Sequence, residues 1–295
     1  MNLPERLILH VGAHKTGTTH FQQGLRAGQA TLEEAGCTIY TPPDLRPAPG
    51  LAEMLGIAFK GGKRDNWTPE LLPAAAKGRK TLIISEENVL GQLITPSGQF
   101  LGALYPHAAR RISAVVRAVA PVKPVLFLSI RDPASYVLSA YSQSLLGGYG
   151  GDFADFMARM SIDKIRWADL AAAIANVEGV ASLRFWKLED YPAVGSKVIN
   201  RMASGRVADP AWLSHQASHV GLSKKAVEAA LRAPSGPERA LAAKAARAQY
   251  LVSDGHERFR PIDDETLALS AEFYEQEVAA MRALPGVRQL EPDAG

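Results

Sequence analysis

A glycine-rich loop near the N-terminus constrains the fold of this chain more than any other feature. The apolar run 7–11 leads into Gly12, and a second glycine, Gly17, follows five residues later. This is the glycine spacing of a phosphate-binding loop, which joins a buried strand to the first turn of a helix. The next residue is Thr18, however, and the lysine of the loop, Lys15, stands two positions before Gly17. The loop therefore predicts an anion site whose lysine does not take the place it has in kinases and NTPases.

The backbone of this loop is suited to holding an anion. Gly12 and Gly17 let the chain curl closely around a ligand. The N–H groups of Thr16, Gly17, Thr18 and Thr19 then point at the ligand from a helix N-terminus, where the helix dipole favours negative charge. The three threonine hydroxyls add hydrogen-bond donors. The alternative is an ordinary glycine turn with helix-capping threonines, but the strand–loop–helix context favours the anion site.

Composition and charge exclude several classes of protein. The 295 residues are 47% hydrophobic, enough for a sizeable core, and no linker divides them, so we expect a single domain over residues 1–295. A net charge of +3 does not argue for nucleic acid as a partner, and a single cysteine excludes an intrachain disulfide. No apolar run approaches the roughly 18 residues of a membrane helix, and the N-terminus lacks a signal-peptide pattern. We therefore expect a cytoplasmic protein without membrane insertion, of unknown oligomeric state.

Short apolar runs alternate with helical segments along the chain. Strands are predicted at 7–11, 37–40, 81–85, 124–130 and 181–186. Helices are predicted at 18–35, 110–120 and 133–147, twice within 153–177, and over most of the C-terminal third. This order predicts the α/β class, with a three-layer α/β/α architecture around a central parallel sheet. Because such sheets bind ligands beyond the carboxyl ends of their strands, the segments 12–19, 41–44, 85–88 and 131–139 should supply the site.

A second motif follows the fourth predicted strand. Arg131 comes directly after the strand, Pro133 stands where a proline starts a helix, and Ser139 lies about two turns into that helix. A guanidinium and a hydroxyl placed in this way can clamp a phosphate. The alternative is that Arg131 caps the sheet edge through Asp132, with Ser139 as a small packing residue.

The two motifs together resemble those of the sulfotransferase family. The run 14–19, His-Lys-Thr-Gly-Thr-Thr, resembles the 5′-phosphosulfate loop of these enzymes, and the run 131–141 resembles their 3′-phosphate motif. A third segment, 183–190, resembles a strand and turn found later in the family. The resemblance spans about residues 7–205 and is nearer to glycan sulfotransferases than to phenol and steroid enzymes. It implies a P-loop-like phosphosulfate loop and 3′-phosphoadenylyl sulfate (PAPS) as the donor, which leaves as adenosine 3′,5′-bisphosphate.

The resemblance also implies roles for individual residues and an acceptor class. Lys15 would stabilise the charge that develops on the leaving phosphate, and no metal is expected. The acceptor would be a saccharide or a small metabolite, in a bacterial enzyme, bound by the excursions 41–69 and 91–107 and by the C-terminal third. The residues implied for donor binding are Lys15, Thr16, Gly17, Thr18, Thr19, Arg131 and Ser139.

The general base is less clearly indicated. Glu86 and Glu87 follow the third predicted strand at the binding edge, and we prefer Glu86 as the base. The alternative is that one of the two caps a helix N-terminus. His14 is a rival catalytic residue because it adjoins Lys15 in the loop.

Two other functions stay open. A P-loop kinase or NTPase is one, because the strand 82–85 followed by Glu86 resembles the strand and acid that hold Mg²⁺. Against it, Thr18 stands where the P-loop lysine belongs, and no other motif of that class is present. The other is a catalytically silent nucleotide-binding module that regulates a partner.

Overall fold

A parallel β-sheet lies at the centre of the computed structural model, which describes residues 2–48, 50–57, 67–68, 70–92, 103–213 and 221–293. Within these residues the sheet has six strands in the order β2-β3-β1-β4-β5-β6, and every neighbouring pair is parallel. The α/β prediction with a parallel sheet is therefore confirmed. The strands are β1 (Arg6–His10), β2 (Cys37–Tyr40), β3 (Thr81–Ser85), β4 (Pro124–Ile130), β5 (Ser182–Lys187) and β6 (Val287–Gln289).

Helices connect these strands and cover both faces of the sheet. They are α1 (Thr18–Ala27), α2 (Gln29–Glu34), α3 (Pro42–Leu45), α4 (Leu51–Met54), α5 (Leu71–Ala76), α6 (Ala108–Val119), α7 (Pro133–Leu146), α8 (Phe153–Arg159), α9 (Trp167–Ala175), α10 (Tyr191–Met202), α11 (Lys224–Leu231), α12 (Pro237–Gln249) and α13 (Asp264–Arg282). No helix among the residues described above is both long and apolar enough to cross a membrane.

The three layers follow from alternation along the strands. In β1, Leu7 and Leu9 belong to one core and Ile8 to the other, and in β4 Phe127 joins Ile8. Helices α1, α2 and α10 pack on the Ile8 face, while α6, α7, α9 and α13 pack on the Leu7 face. Because both faces of the sheet are covered by helices, side chains on both faces must be apolar. This is why the sequences of the strands are continuous apolar runs.

One predicted helix was wrong, and one strand was missed. The helix expected over 18–35 is divided into α1, which ends at Ala27, and α2, which begins at Gln29. At Gly28 between them, an added side chain would overlap the Trp212 ring. Strand β6 was not predicted, because it is short and only Val287 is buried in it. The sequence also favours a helical patch near 51–59, where the structure has α4, and residues 58 and 59 lie outside the described residues.

Candidate active site at the carboxyl edge of the sheet

The sheet order brings the two predicted motifs together. Strand β1 lies between β3 and β4, so the turns that follow these three strands are neighbours at one edge. The chain changes direction across the sheet at β1, and such a switch point is where open α/β sheets bind ligands. The backbone N–H of Val11 donates to the carbonyl of Phe127, and that of Ala13 donates to Ser129, which fixes the loop against β4.

The loop itself adopts an unusual backbone conformation. Both Lys15 (φ 66°) and Gly17 (φ 81°) are left-handed, and for a residue with a side chain this costs about 1 kcal/mol. Gly12 is also required, because an added Cβ would overlap the Thr18 methyl group. The loop therefore holds Lys15 in a geometry that an unconstrained chain would avoid, as is common at functional sites.

Thr16 serves the loop internally. Its buried hydroxyl donates to the carbonyl of Ala13 at 2.6 Å and lies 2.5 Å from the Ser129 hydroxyl. These contacts do not favour the expectation that this hydroxyl donates to an anion, which stays a prediction. Helix α1 begins at Thr18, so the backbone N–H groups at its N-terminus remain candidate donors to an anion. The side chain of Thr19 is exposed.

A cavity of about 160 Å³, called the donor-side cavity below, joins the loop to helix α7. Lys15 and Thr19 line it from the loop, Ser139 and Gln143 line it from α7, and Arg247 lines it from α12. Ser139 and Gln143 stand one turn apart on the same helix face, so their spacing could have suggested Gln143. Arg247 was missed, because nothing in the Ala- and Arg-rich stretch around it indicates a ligand.

Lys15 and Arg247 line this cavity, and Arg131, which does not line it, lies close enough for its charge to act on Lys15. The Lys15 ammonium lies 3.2 Å from the Gln143 side-chain oxygen. Burial lowers the pKa of Lys15, and the nearby charges of Arg247 and Arg131 lower it further. Like charges held close in a partly buried site repel one another, and a bound anion removes that repulsion. The arrangement is therefore suited to an anionic group.

Arg131 is tied to the loop by its own hydrogen bond. Its guanidinium donates to the carbonyl of Lys15 at 3.2 Å, and burial lowers its pKa. The Asp132 carboxylate accepts from the Ser135 backbone N–H and from the Ser270 hydroxyl. Asp132 thus caps α7, which begins at Pro133 as predicted. The hydrogen bonds of Arg131 and Asp132 do not support the alternative that Asp132 holds Arg131 at the sheet edge.

Glu86 lies beneath the surface of the site. Its side chain is 0% exposed, pairs with Arg46 at 3.2 Å and accepts from the backbone and side-chain N–H groups of Asn88. Burial raises its pKa, against the opposing effect of Arg46. This is the capping role named as the alternative, because Glu86 precedes the 3₁₀ turn Glu87–Val89. Neither Glu86 nor Glu87 lines the donor-side cavity, and the role of Glu86 as base stays a prediction that its buried contacts do not favour.

Glu87 is the more accessible carboxylate. Its side chain is 17% exposed, accepts from the Gln22 amide at 2.8 Å and lies 3.5 Å from Arg46. Its charge also acts on His14, because it raises the pKa of that ring against the larger effect of burial, which lowers it. Glu87 and His14 therefore belong to the same electrostatic neighbourhood.

His14 is held by a chain of hydrogen bonds. The Tyr105 hydroxyl lies 2.8 Å from both the His14 backbone N and Nδ1, and the Asn88 side-chain oxygen lies 3.3 Å from Nε2. Because the Asn88 amide N–H donates to Glu86, its oxygen must face His14. That oxygen can only accept, so Nε2 carries the proton and Nδ1 accepts from Tyr105. Glu86 thus sets the orientation of His14 through Asn88.

No protein-family model matches the chain, and no curated protein matches it. The chain is similar to a solved sulfotransferase from Alicyclobacillus acidocaldarius, with a TM-score of 0.45 and 14% identity over 96% of each chain. A similarity of this size carries no argument about function, because unrelated activities share folds. Function is therefore inferred from the residues of this chain.

Proposed function

We propose that the protein is a sulfotransferase that moves a sulfuryl group from PAPS to a hydroxyl or amine of a saccharide or small metabolite. One observation carries the proposal: Lys15 projects from a phosphate-type loop into a cavity that it shares with Ser139, among the charges of Arg131 and Arg247. A donor with a 5′-phosphosulfate and a 3′-phosphate needs two such anion sites on adjacent strand–helix units. The motif residues of both units meet at this edge of the sheet.

The donor would bind through both units. The loop N–H groups at 16–19 and the exposed Thr19 hydroxyl would hold the 5′-phosphosulfate at the N-terminus of α1. Arg131 and Ser139 would hold the 3′-phosphate, the arginine through paired N–H groups. Arg247 would add positive charge from α12, which extends the predicted donor site into the C-terminal third.

Lys15 would act on the bond that breaks. As the acceptor oxygen or nitrogen attacks sulfur, the S–O bond to the 5′-phosphate breaks and its electron pair stays on the leaving bisphosphate. A desolvated ammonium beside that oxygen stabilises the developing charge, and loss of a comparable donor costs roughly 10²–10³ in rate. Gln143 would hold the Lys15 ammonium in place before the donor binds.

The acceptor must lose a proton in the same step. We assign that proton to Glu87 rather than Glu86, because of these two carboxylates Glu87 is the one with exposed surface. His14, whose two ring nitrogens already bond to Tyr105 and Asn88, would then support the site rather than act as the base. This revises the preference for Glu86 drawn from the sequence.

The kinase alternative is not favoured by the contacts of Glu86. A kinase would use this acid to hold Mg²⁺, but the carboxylate is buried and already bonded to Arg46 and Asn88. The silent-module alternative makes a different prediction. With ³⁵S-labelled PAPS and a bacterial extract, an enzyme should transfer label to an acceptor, whereas a silent module should bind adenosine 3′,5′-bisphosphate and transfer none.

A further inference from the structure

A second cavity, of about 390 Å³, lies beside His14 and is called the acceptor-side cavity below. It shares no lining residue with the donor-side cavity among the residues that the structure describes. Its polar lining comes from the turn after β3 and from the start of α6: Asn88, Gln92, Tyr105, His107, Arg110 and Arg111. Its volume falls within the range of small-molecule sites, roughly 300–1,000 Å³.

This cavity is connected to the transfer site through His14. Asn88 and Tyr105 line it, and they are also the two side chains that bond to the His14 ring. His14 is the chain neighbour of Lys15. A molecule in the acceptor-side cavity therefore lies against the side chains that hold His14, and His14 adjoins the proposed catalytic cation, Lys15.

The charge of the cavity wall is one-sided. Over the described part of the lining, Arg110, Arg111 and His107 are basic and no residue is acidic. Arg111 is fixed in the wall, since its guanidinium donates to the carbonyls of Gly56, Asn88 and Val89. Arg110 is exposed on α6, and none of the described residues accepts a hydrogen bond from it. Such a wall favours a negatively charged ligand.

We propose that the acceptor binds in this cavity and carries a carboxylate or a phosphate that pairs with Arg110. Uncharged saccharides would then be poor acceptors. The inference rests on the proposed function only in naming the ligand as the acceptor; the preference for an anion follows from the wall itself.

The test is a binding measurement with three probes: glucuronate, glucose 6-phosphate and glucose. Titrations by saturation-transfer NMR should show that at least one acid binds about tenfold or more tightly than glucose, which corresponds to about 1.4 kcal/mol. Whichever acid binds more tightly identifies carboxylate or phosphate as the preferred group. Equal binding of all three probes, tighter binding of glucose, or no binding of any probe would overturn the proposal.

Variants on one helix make the test specific. Arg110→Ala should bring the acids to within about threefold of glucose, and Arg110→Gln should do the same while keeping a polar, hydrogen-bonding side chain. Arg117→Ala is the matched control, because Arg117 lies two turns further along α6 and donates to Ser113 outside the cavity lining. An acid preference that survives both Arg110 substitutions would contradict the assignment.

A parallel titration with adenosine 3′,5′-bisphosphate separates this inference from the proposed function. Arg110-dependent binding of an acid without bisphosphate binding would reject the sulfotransferase while keeping the anion site. Bisphosphate binding without an acid preference would reject the anion site alone.

Discussion

The donor-side and acceptor-side cavities differ in how they are built. The donor-side cavity is small, about 160 Å³, and takes its cation, Lys15, from a strained loop locked against β4. The acceptor-side cavity is larger, about 390 Å³, and takes its exposed cation, Arg110, from the surface of a helix. A half-buried cation on a fixed loop suits a constant anionic group, whereas an exposed one on a wider wall suits a group that varies between substrates. We therefore expect the donor-side cavity to carry the chemistry and the acceptor-side cavity to determine which acceptor binds.

The largest effect should come from the donor side. Lys15→Ala should lower the turnover of ³⁵S transfer by roughly 10²–10³, because it removes the cation that stabilises the leaving phosphate. Steady-state kinetics with PAPS and the extracted acceptor would measure it. Lys80→Ala, which breaks an exposed pair with Glu5, is the control and should retain full turnover. A Lys15→Ala rate close to the wild-type rate would remove the lysine from the mechanism.

Substitutions of the two adjacent carboxylates should distinguish the general base from a residue that only stabilises the fold. Glu87→Gln should lower turnover by about 10² at unchanged bisphosphate affinity, as loss of a general base does. Glu86→Gln should instead lower the free energy of unfolding by about 1–2 kcal/mol, because it weakens a buried hydrogen-bonded carboxylate whose partner Arg46 is half exposed. Urea titration and single-turnover rates measure the two effects. The opposite pattern would restore Glu86 as the base.

The arginines of the donor side should act on binding rather than on turnover. Arg131→Ala should weaken adenosine 3′,5′-bisphosphate by at least about tenfold, and Arg247→Ala by less, because Arg131 also ties the loop to β4. Calorimetry measures both, and Arg117→Ala serves as a distant control. If Arg247→Ala leaves the affinity unchanged, α12 does not contribute to the donor site.

The smallest effect should be a pH dependence confined to the donor side. Burial and neighbouring cations lower the Lys15 pKa, and a bound bisphosphate should raise it again. Bisphosphate affinity should therefore fall as pH rises through the lowered pKa, starting below the ordinary lysine value of about 10.4. Calorimetry at alkaline pH in two buffers of different ionisation enthalpy would measure the proton uptake. The same uptake in Lys15→Ala would assign it to another group.

Much of the fold was predictable because local patterns determine it. Strands β2, β3 and β4 match their apolar runs residue for residue, and α7 starts at the proline that favours a helix start. The need for a glycine between α1 and α2 was not predictable, because it depends on Trp212, which is distant in sequence. Strand β6 gave no signal, because its pairing with β5 rather than its own composition defines it.

The candidate site likewise has parts that local sequence predicts and parts that depend on distant contacts. The placement of Lys15, Ser139 and Arg131 near the carboxyl edge of the sheet was predictable, because each stands at a fixed distance from a strand end, and their roles stay predictions. The difference between Glu86 and Glu87 was not, because it depends on Arg46 and Asn88, which bury one carboxylate and leave the other partly exposed. Neither Arg247 nor Arg110 stands in a motif, and only tertiary packing brings them to the cavities. Residues 58–66, 69 and 93–102, within the excursions expected to bind the acceptor, lie outside the described residues.

The most direct test of the central claim is a calorimetric comparison of two nucleotides. Adenosine 3′,5′-bisphosphate, titrated in EDTA, should bind the wild-type protein tightly, and ATP with Mg²⁺ should bind at least about a hundredfold more weakly, a difference of roughly 2.7 kcal/mol. Tight, Mg²⁺-dependent binding of ATP with no binding of the bisphosphate would contradict the account.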